Sequence, residues 1–307
     1  MERARAAMLW PFFVESKHSH RHTEMTTAPL KYHGGKHYLR KKIWELAPAQ
    51  YVTRIIPFAG AINEYWDWTC PHCGVVPPDH VDDCPGVAEV INDINEELIN
   101  FYRVLRSSQK EELLEQLRLT PFHESDFNYA LSGSPDLHGR VGRAWAFFVK
   151  YRMSRQALGK DFATPTCTRT RRKGNEQTSA WLSAIDGLEE CIHRLSRTMV
   201  YSRPALSVLR AFSKPSAFAY LDPPYHPSTR VAGDYEHEMS EADHAKLLTY
   251  LGKFKGKFLL SGYLCEPYDN AAEIFGWERH DVTTQANSSS AKKKPVRVES
   301  FWRNYSE

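Results

Sequence analysis

Residues Tyr220-Leu221-Asp222-Pro223-Pro224-Tyr225-His226-Pro227 close an apolar run that begins at Ala217. Two successive prolines stop a strand and fix the backbone, and they leave carbonyls with no N–H of their own to compete. A carboxylate (Asp222) followed by a rigid carbonyl (Pro223) could accept both N–H bonds of an exocyclic amine. The amine of adenine is a poor nucleophile, because its lone pair is delocalised into the ring. Two fixed acceptors would localise that pair and aim it at a methyl donor, with Pro224 holding the turn. Such catalysis is positioning plus electrostatics, without a covalent enzyme intermediate. Tyr225 adds a face on which a flipped-out base could stack. As four isolated letters the same residues would equally make a strand-terminating turn.

A second group of chemistry-bearing residues lies between 67 and 86. Cys70, Cys73, His80 and Cys84 are spaced as x2, x6 and x3, with His72 as an alternative ligand. That spacing suits one structural zinc, a stabilising clip away from the chemistry. A polar loop of reduced thiols is the competing reading. A third group is basic: residues 150–175 carry eight Lys/Arg against one acidic residue, Asp161. Arg152, Arg155, Lys160, Arg169, Arg171, Arg172 and Lys173 are interleaved there with Tyr151, Phe162 and several threonines. Such a stripe fits phosphate and base-edge contacts with DNA, although a charge run also makes an ordinary solvated loop. Lys292, Lys293, Lys294 and Arg297 form a smaller basic cluster.

These groups need a scaffold. Short apolar, β-branched runs at 52–59 and 87–91 read as buried strands, and a helical period follows through Ile94, Leu98, Tyr102 and Leu105. Strand-like runs return at 217–221, 258–261, 277–283 and 296–302, with a helical pattern at 241–251. The middle holds amphipathic helical patterns at 142–153 and 179–195. Strands alternating with helices at both ends predict an α/β fold with a mainly parallel sheet, and the helical middle is then an insertion. A ligand in such a sheet sits beyond the carboxyl ends of the strands at a switch point. Asp93, directly after a strand, is placed to bind ribose hydroxyls or to cap a helix. Lys36, beside Gly34-Gly35, could reach an anionic cofactor group or the catalytic carboxylate.

Bulk properties narrow the class. The 307 residues carry a formal net charge of +3, 42% hydrophobic and 25% charged residues. This is ordinary for a globular protein, and no run approaches the roughly 18 apolar residues of a membrane span. Residues 8–14 are apolar but short and lack a small-residue cleavage site, so no signal peptide is read. Residues 1–28 are expected to be a disordered leader, with a later start at Met25 as the alternative.

Six segments occur in an order shared with one known family. They are Leu30-Lys31-Tyr32-His33-Gly34-Gly35-Lys36, Pro57-Phe58-Ala59-Gly60-Ala61, Asn92-Asp93-Ile94-Asn95, residues 147–162, Tyr220 to Tyr225, and residues 298–305. In this order the chain resembles the Dam-like, DPPY-type (alpha-group) DNA N6-adenine methyltransferases from about residue 30 to 305. The resemblance implies a Rossmann-like S-adenosylmethionine-dependent sheet over 29–105 and 199–307, with an inserted helical target-recognition domain at 106–198. It also implies S-adenosyl-L-methionine held by Tyr32, Gly34, Gly35, Lys36, Pro57, Phe58, Gly60, Asp93 and Asp222. The expected reaction is site-specific methylation of a flipped adenine in double-stranded DNA. The expected setting is bacterial or phage-type cytoplasm, as in restriction-modification, with the protein a monomer or weak dimer. An RNA adenine methyltransferase and a catalytically silent nucleic-acid-binding module are the alternatives. Two positions depart from the family pattern. Ile62 replaces the last glycine of Phe-x-Gly-x-Gly, and Ile56 stands where an acidic residue is common. A bulky side chain at 62 would narrow the approach of the methionine moiety.

Overall fold

The computed structural model describes residues 28–31, 36–166, 168–171, 174–229, 237–285 and 296–306. Residues 1–27 and the cluster Lys292, Lys293 and Lys294 lie outside the described residues.

The chain begins with α1 (Arg40–Leu46), β1 (Thr53–Ile56), β2 (Ala88–Asn92) and α2 (Glu96–Leu105). A helical stretch follows: α3 (Lys110–Leu119), α4 (Glu124–Leu131), α5 (Arg140–Arg152), a small hairpin of β3 (Thr170–Arg171) and β4 (Gly174–Asn175), α6 (Glu176–Asp186) and α7 (Leu188–Leu195). The sheet then resumes through β5 (Met199–Tyr201), α8 (Ala205–Ala211), β6 (Ala217–Leu221), α9 (Glu241–Leu251), β7 (Lys257–Gly262), α10 (Glu266–Phe275), β8 (Glu278–Gln285) and β9 (Val296–Arg303).

Seven strands form one sheet in the order β5-β2-β1-β6-β7-β9-β8. The first five are mutually parallel, and β9 runs antiparallel to both of its neighbours. The last strand in sequence is thus inserted between β7 and β8. Strand β6 is apolar on both faces and every one of its residues is buried, as expected where helices cover both sides. From β1 the chain continues to β2 on one side, and from β6 to β7 on the other. Their carboxyl ends therefore border the crevice at the switch point.

Two apolar layers sandwich the sheet. One joins Trp66, Phe101, Phe148 and Tyr220, the other Ile55, Leu209, Phe258 and Trp302. The first layer includes the helical stretch, where Phe148 of α5 stacks on Phe101 of α2 at 5.6 Å. One ionic network is buried in it. Arg54 and Arg194 both bind Glu89, and Arg54 also donates to the carbonyls of Trp68 and Thr69 where the cysteine-bearing loop departs. Loss of one member would strand a buried charge, a defect worth about 3–5 kcal/mol. Among the described residues no helix is long and apolar enough to cross a membrane.

Candidate active site and metal centre

The turn after β1 is held from several sides. Asn92, at the end of β2, donates to the Pro57 carbonyl at 2.9 Å, and the Tyr102 hydroxyl donates to the Gly60 carbonyl at 2.9 Å. The Gly60 N–H donates to Asp93 Oδ2 at 2.9 Å. Asn95, rather than Asp93, caps α2 by accepting from the N–H groups of Glu97 and Leu98. Asp93 is left to brace the glycine turn and line the crevice, and burial raises its pKa.

Beyond the strand ends lies a cavity of about 530 Å³. Phe58, Gly60, Ile62 and Glu64 line it from the β1 side, Asp93 and Ile94 from β2, and Asp222, Pro223 and Pro224 from β6. Lys36, Pro204, Leu206 and Met239 complete much of the wall. Pro57 is buried next to Phe58 and is not part of the cavity lining. It acts through its carbonyl on Asn92. Tyr32, Gly34 and Gly35 lie outside the described residues.

Lys36 reaches the Asp222 carboxylate. Its ammonium is fully buried, 3.3 Å from Asp222 Oδ1, and donates to the Tyr225 hydroxyl at 3.0 Å and to Glu299 Oε1. The Tyr225 hydroxyl donates in turn to Glu299 at 3.2 Å. Burial alone would favour loss of the lysine proton, but Asp222, Tyr225 and Glu299 outweigh it and hold the pKa well above the usual lysine range. Burial pushes Asp222 up to about 6, Lys36 opposes that rise, and Glu299 adds to it. Asp222 thus remains a carboxylate at neutral pH.

The Tyr225 ring stacks on Tyr263 at 4.2 Å and 17°, so Tyr263 occupies one of its faces, and the Lys36 ammonium sits at its hydroxyl edge, 4.7 Å from the centroid. Glu299, Tyr263 and Glu64 were not read as functional from the sequence. The available signal was an acidic residue inside an apolar setting, Glu299 beside Phe301-Trp302 and Glu64 beside Tyr65-Trp66.

The cysteine loop does converge. The ligand atoms of Cys70, Cys73, His80 and Cys84 all lie within 4.8 Å of one another. Cys70 Sγ and Cys84 Sγ are 3.8 Å apart, and His80 Nδ1 lies 3.5 Å from Cys73 Sγ and 3.6 Å from Cys84 Sγ. A tetrahedral zinc with bonds of about 2.3 Å to sulfur and about 2.0 Å to nitrogen implies edges of about 3.8 and about 3.5 Å. The N–H groups of His72 and Gly86 point at Cys70 and Cys84 sulfur, as thiolates require. His80, not His72, belongs to the set.

The basic residues divide. Arg155, Lys160, Arg169 and Arg171 are exposed, and Arg172 and Lys173 lie outside the described residues. Arg152 is a correction: it is buried and donates to the carbonyls of Pro29 at 2.7 Å and Ala28 at 3.0 Å. It ties down the chain before Lys36 and presents nothing to a phosphate.

A mostly parallel sheet carrying Asp-Pro-Pro-Tyr at the end of a central strand, above a cavity braced by a glycine turn and an acidic residue, is the arrangement of a Rossmann-like methyltransferase fold. Residues 160–286 match the family model described as D12 class N6 adenine-specific DNA methyltransferase. The match spans the exposed basic residues from Lys160 and the Asp222–Tyr225 turn, and it supports S-adenosylmethionine-dependent transfer to adenine N6. No curated protein matches the chain.

Proposed function

We propose that the protein methylates the N6 amine of an adenine flipped out of duplex DNA. The observation that carries this reading is the placement of Asp222 and Pro223 on the cavity wall, with the Asp222 carboxylate held by buried Lys36. The cavity fits S-adenosyl-L-methionine. Asp93 offers a carboxylate to ribose hydroxyls, Ile94, Pro204 and Leu206 offer apolar surface to an adenine ring, and the volume is that of a cofactor site. Bound there, the cofactor would supply the electrophilic methyl group. Asp222 and the Pro223 carbonyl accept the two amine N–H bonds, localise the nitrogen lone pair, and Asp222 takes the proton that the amine sheds. Lys36 keeps that carboxylate ionised and fixed in place.

The exposed Arg155, Lys160, Arg169 and Arg171 support residues 106–198 as the target-recognition region. The agreement of the Cys70, Cys73, His80 and Cys84 distances with a tetrahedral set supports one structural zinc. Site-specific methylation would suit a restriction-modification or phage setting, where it would protect DNA from a cognate endonuclease.

Transfer of labelled methyl to unmethylated genomic DNA tests the central reading. N6-methyladenine formed by the wild type and lost in Asp222→Ala is the expected result. Absence of transfer to DNA or RNA, with nucleic-acid binding intact, would leave a silent binding module.

A further inference from the structure

Glu64 lies four residues beyond Gly60 and lines the same cavity, yet its side chain has no role in the chemistry above. The residue is 5% exposed. Among the described residues the sole hydrogen bond to its carboxylate comes from its own backbone N–H. The backbone that carries it is fixed in place. The Glu64 carbonyl accepts from Trp44 Nε1 at 2.9 Å, and its neighbours Tyr65 and Trp66 are fully buried. Lys36 is the cation that acts on it, but that ammonium is committed to Asp222, Tyr225 and Glu299. Asp222 faces Glu64 from β6 and disfavours its charge, as burial does, and Tyr220 stands behind Asp222. Asp93, Glu238 and Asp243 also line the cavity, with His237 as a titratable neighbour. A buried carboxylate without a cation is an expensive arrangement, and a cavity so lined with acids is complementary to a cationic ligand.

We propose that Glu64 receives the α-ammonium group of the methionine moiety of S-adenosylmethionine. The inference rests on the cofactor reading given above. An ammonium offers three N–H donors, which a carboxylate can accept, whereas a sulfonium offers none. Glu64 sits on the turn that carries Ile62, so it lies beside the part of the cavity assigned to the methionine end. Burial pushes the free carboxyl up to about 8, which leaves it mostly protonated at pH 7 before the ligand arrives.

Calorimetric titration of the full chain at pH 7 with S-adenosylmethionine, S-adenosylhomocysteine and 5′-methylthioadenosine tests the proposal. The second ligand keeps the ammonium and lacks the sulfonium charge, and the third lacks both. Glu64→Gln should weaken the first two by about 10–100-fold and leave the third nearly unchanged. Repeating the wild-type titration in buffers of different ionisation enthalpy should reveal release of up to one proton with the first two ligands, absent in Glu64→Gln. Equal affinities for wild type and Glu64→Gln would overturn the assignment, as would a loss confined to S-adenosylmethionine, which would point to the sulfonium instead. If the variant fails to fold, the wild-type proton count decides alone, and no release overturns the proposal. Wild type binding none of the three ligands would instead refute the cofactor reading itself.

Discussion

Lys36→Met should move the acid limb of methyl transfer upward in pH. Asp222 must be ionised to accept the amine N–H bonds, and burial holds its carboxyl up to about 6 even with Lys36 beside it. Wild-type transfer should therefore fall as pH drops through about 6. The two groups are 3.3 Å apart, which at an effective dielectric of about 20 corresponds to about 5 kcal/mol. Most of that does not reach the carboxylate. Asp222 is 21% exposed, and the ammonium also serves Glu299 and Tyr225. An opposite charge at such range moves a carboxyl by about 1–3 pH units. Without it, the limb should rise to roughly pH 7–9, and the variant should regain activity on the alkaline side instead of being uniformly dead.

Methionine keeps the length of the side chain but strands buried Glu299, so Lys36→Met with Glu299→Gln is the necessary companion. Glu299 pushes Asp222 up, and its neutralisation should return the limb partway toward wild type. Single-turnover transfer to DNA, measured from pH 5 to 9.5, reads chemistry rather than product release. A folded Lys36→Met protein whose acid limb stays near 6 or falls would refute the electrostatic role given to Lys36.

Purified protein should contain one zinc per chain by elemental analysis, and chelation or Cys84→Ser should lower Tm by roughly 5–10 °C through the loop that meets Arg54. Neutralising exposed Arg155, Lys160, Arg169 and Arg171 together should weaken DNA binding and reduce its logarithmic salt slope by up to about 3–4. Arg152→Gln should instead lower thermal stability and leave that slope unchanged, because its partners are the Pro29 and Ala28 carbonyls. Glu64→Gln should stabilise the ligand-free protein at alkaline pH. A carboxyl raised from 4.5 to about 8 contributes stability that is present below about 4.5 and lost as pH rises through 8. The gain in Tm should thus be large at pH 9 and small at pH 4.5.

What was legible in the sequence was local. Apolar runs located β6 and β7, and two prolines after a buried strand located the turn that lines the cavity, because each signal is carried by consecutive residues. The position of β9 between β7 and β8 was not legible, since strand order is set by packing between segments distant in the chain. The same reason hid Glu299. It is a lone acid in a late strand until the sheet brings it to Lys36, 263 residues earlier. Arg152 misled in the opposite direction. The basic residues that follow it, Arg155 and Lys160, are exposed, but Arg152 ends α5, whose inner face is core, and so it turns inward.

Ile62 shows why a departure from a motif need not abolish a site. Its backbone sits at φ +41, in the left-handed region that a glycine would occupy freely and a β-branched residue adopts only under constraint. The constraint is visible: the Ile62 N–H donates to Ala59 at 2.8 Å, its carbonyl accepts from Tyr65 N–H at 2.9 Å, and its side chain is buried. Such a conformation costs about 1–3 kcal/mol. Ile56, the other departure, is buried in β1 opposite Ile91, so apolar packing replaces whatever an acid would do there. The turn keeps its shape without the last glycine, and two residues later it carries the unpaired Glu64. Strain and a desolvated carboxyl group thus fall within three residues, both on the wall of the cavity. Stability given up at that place, and not elsewhere along the turn's well-packed flanks, is what a ligand-binding loop requires.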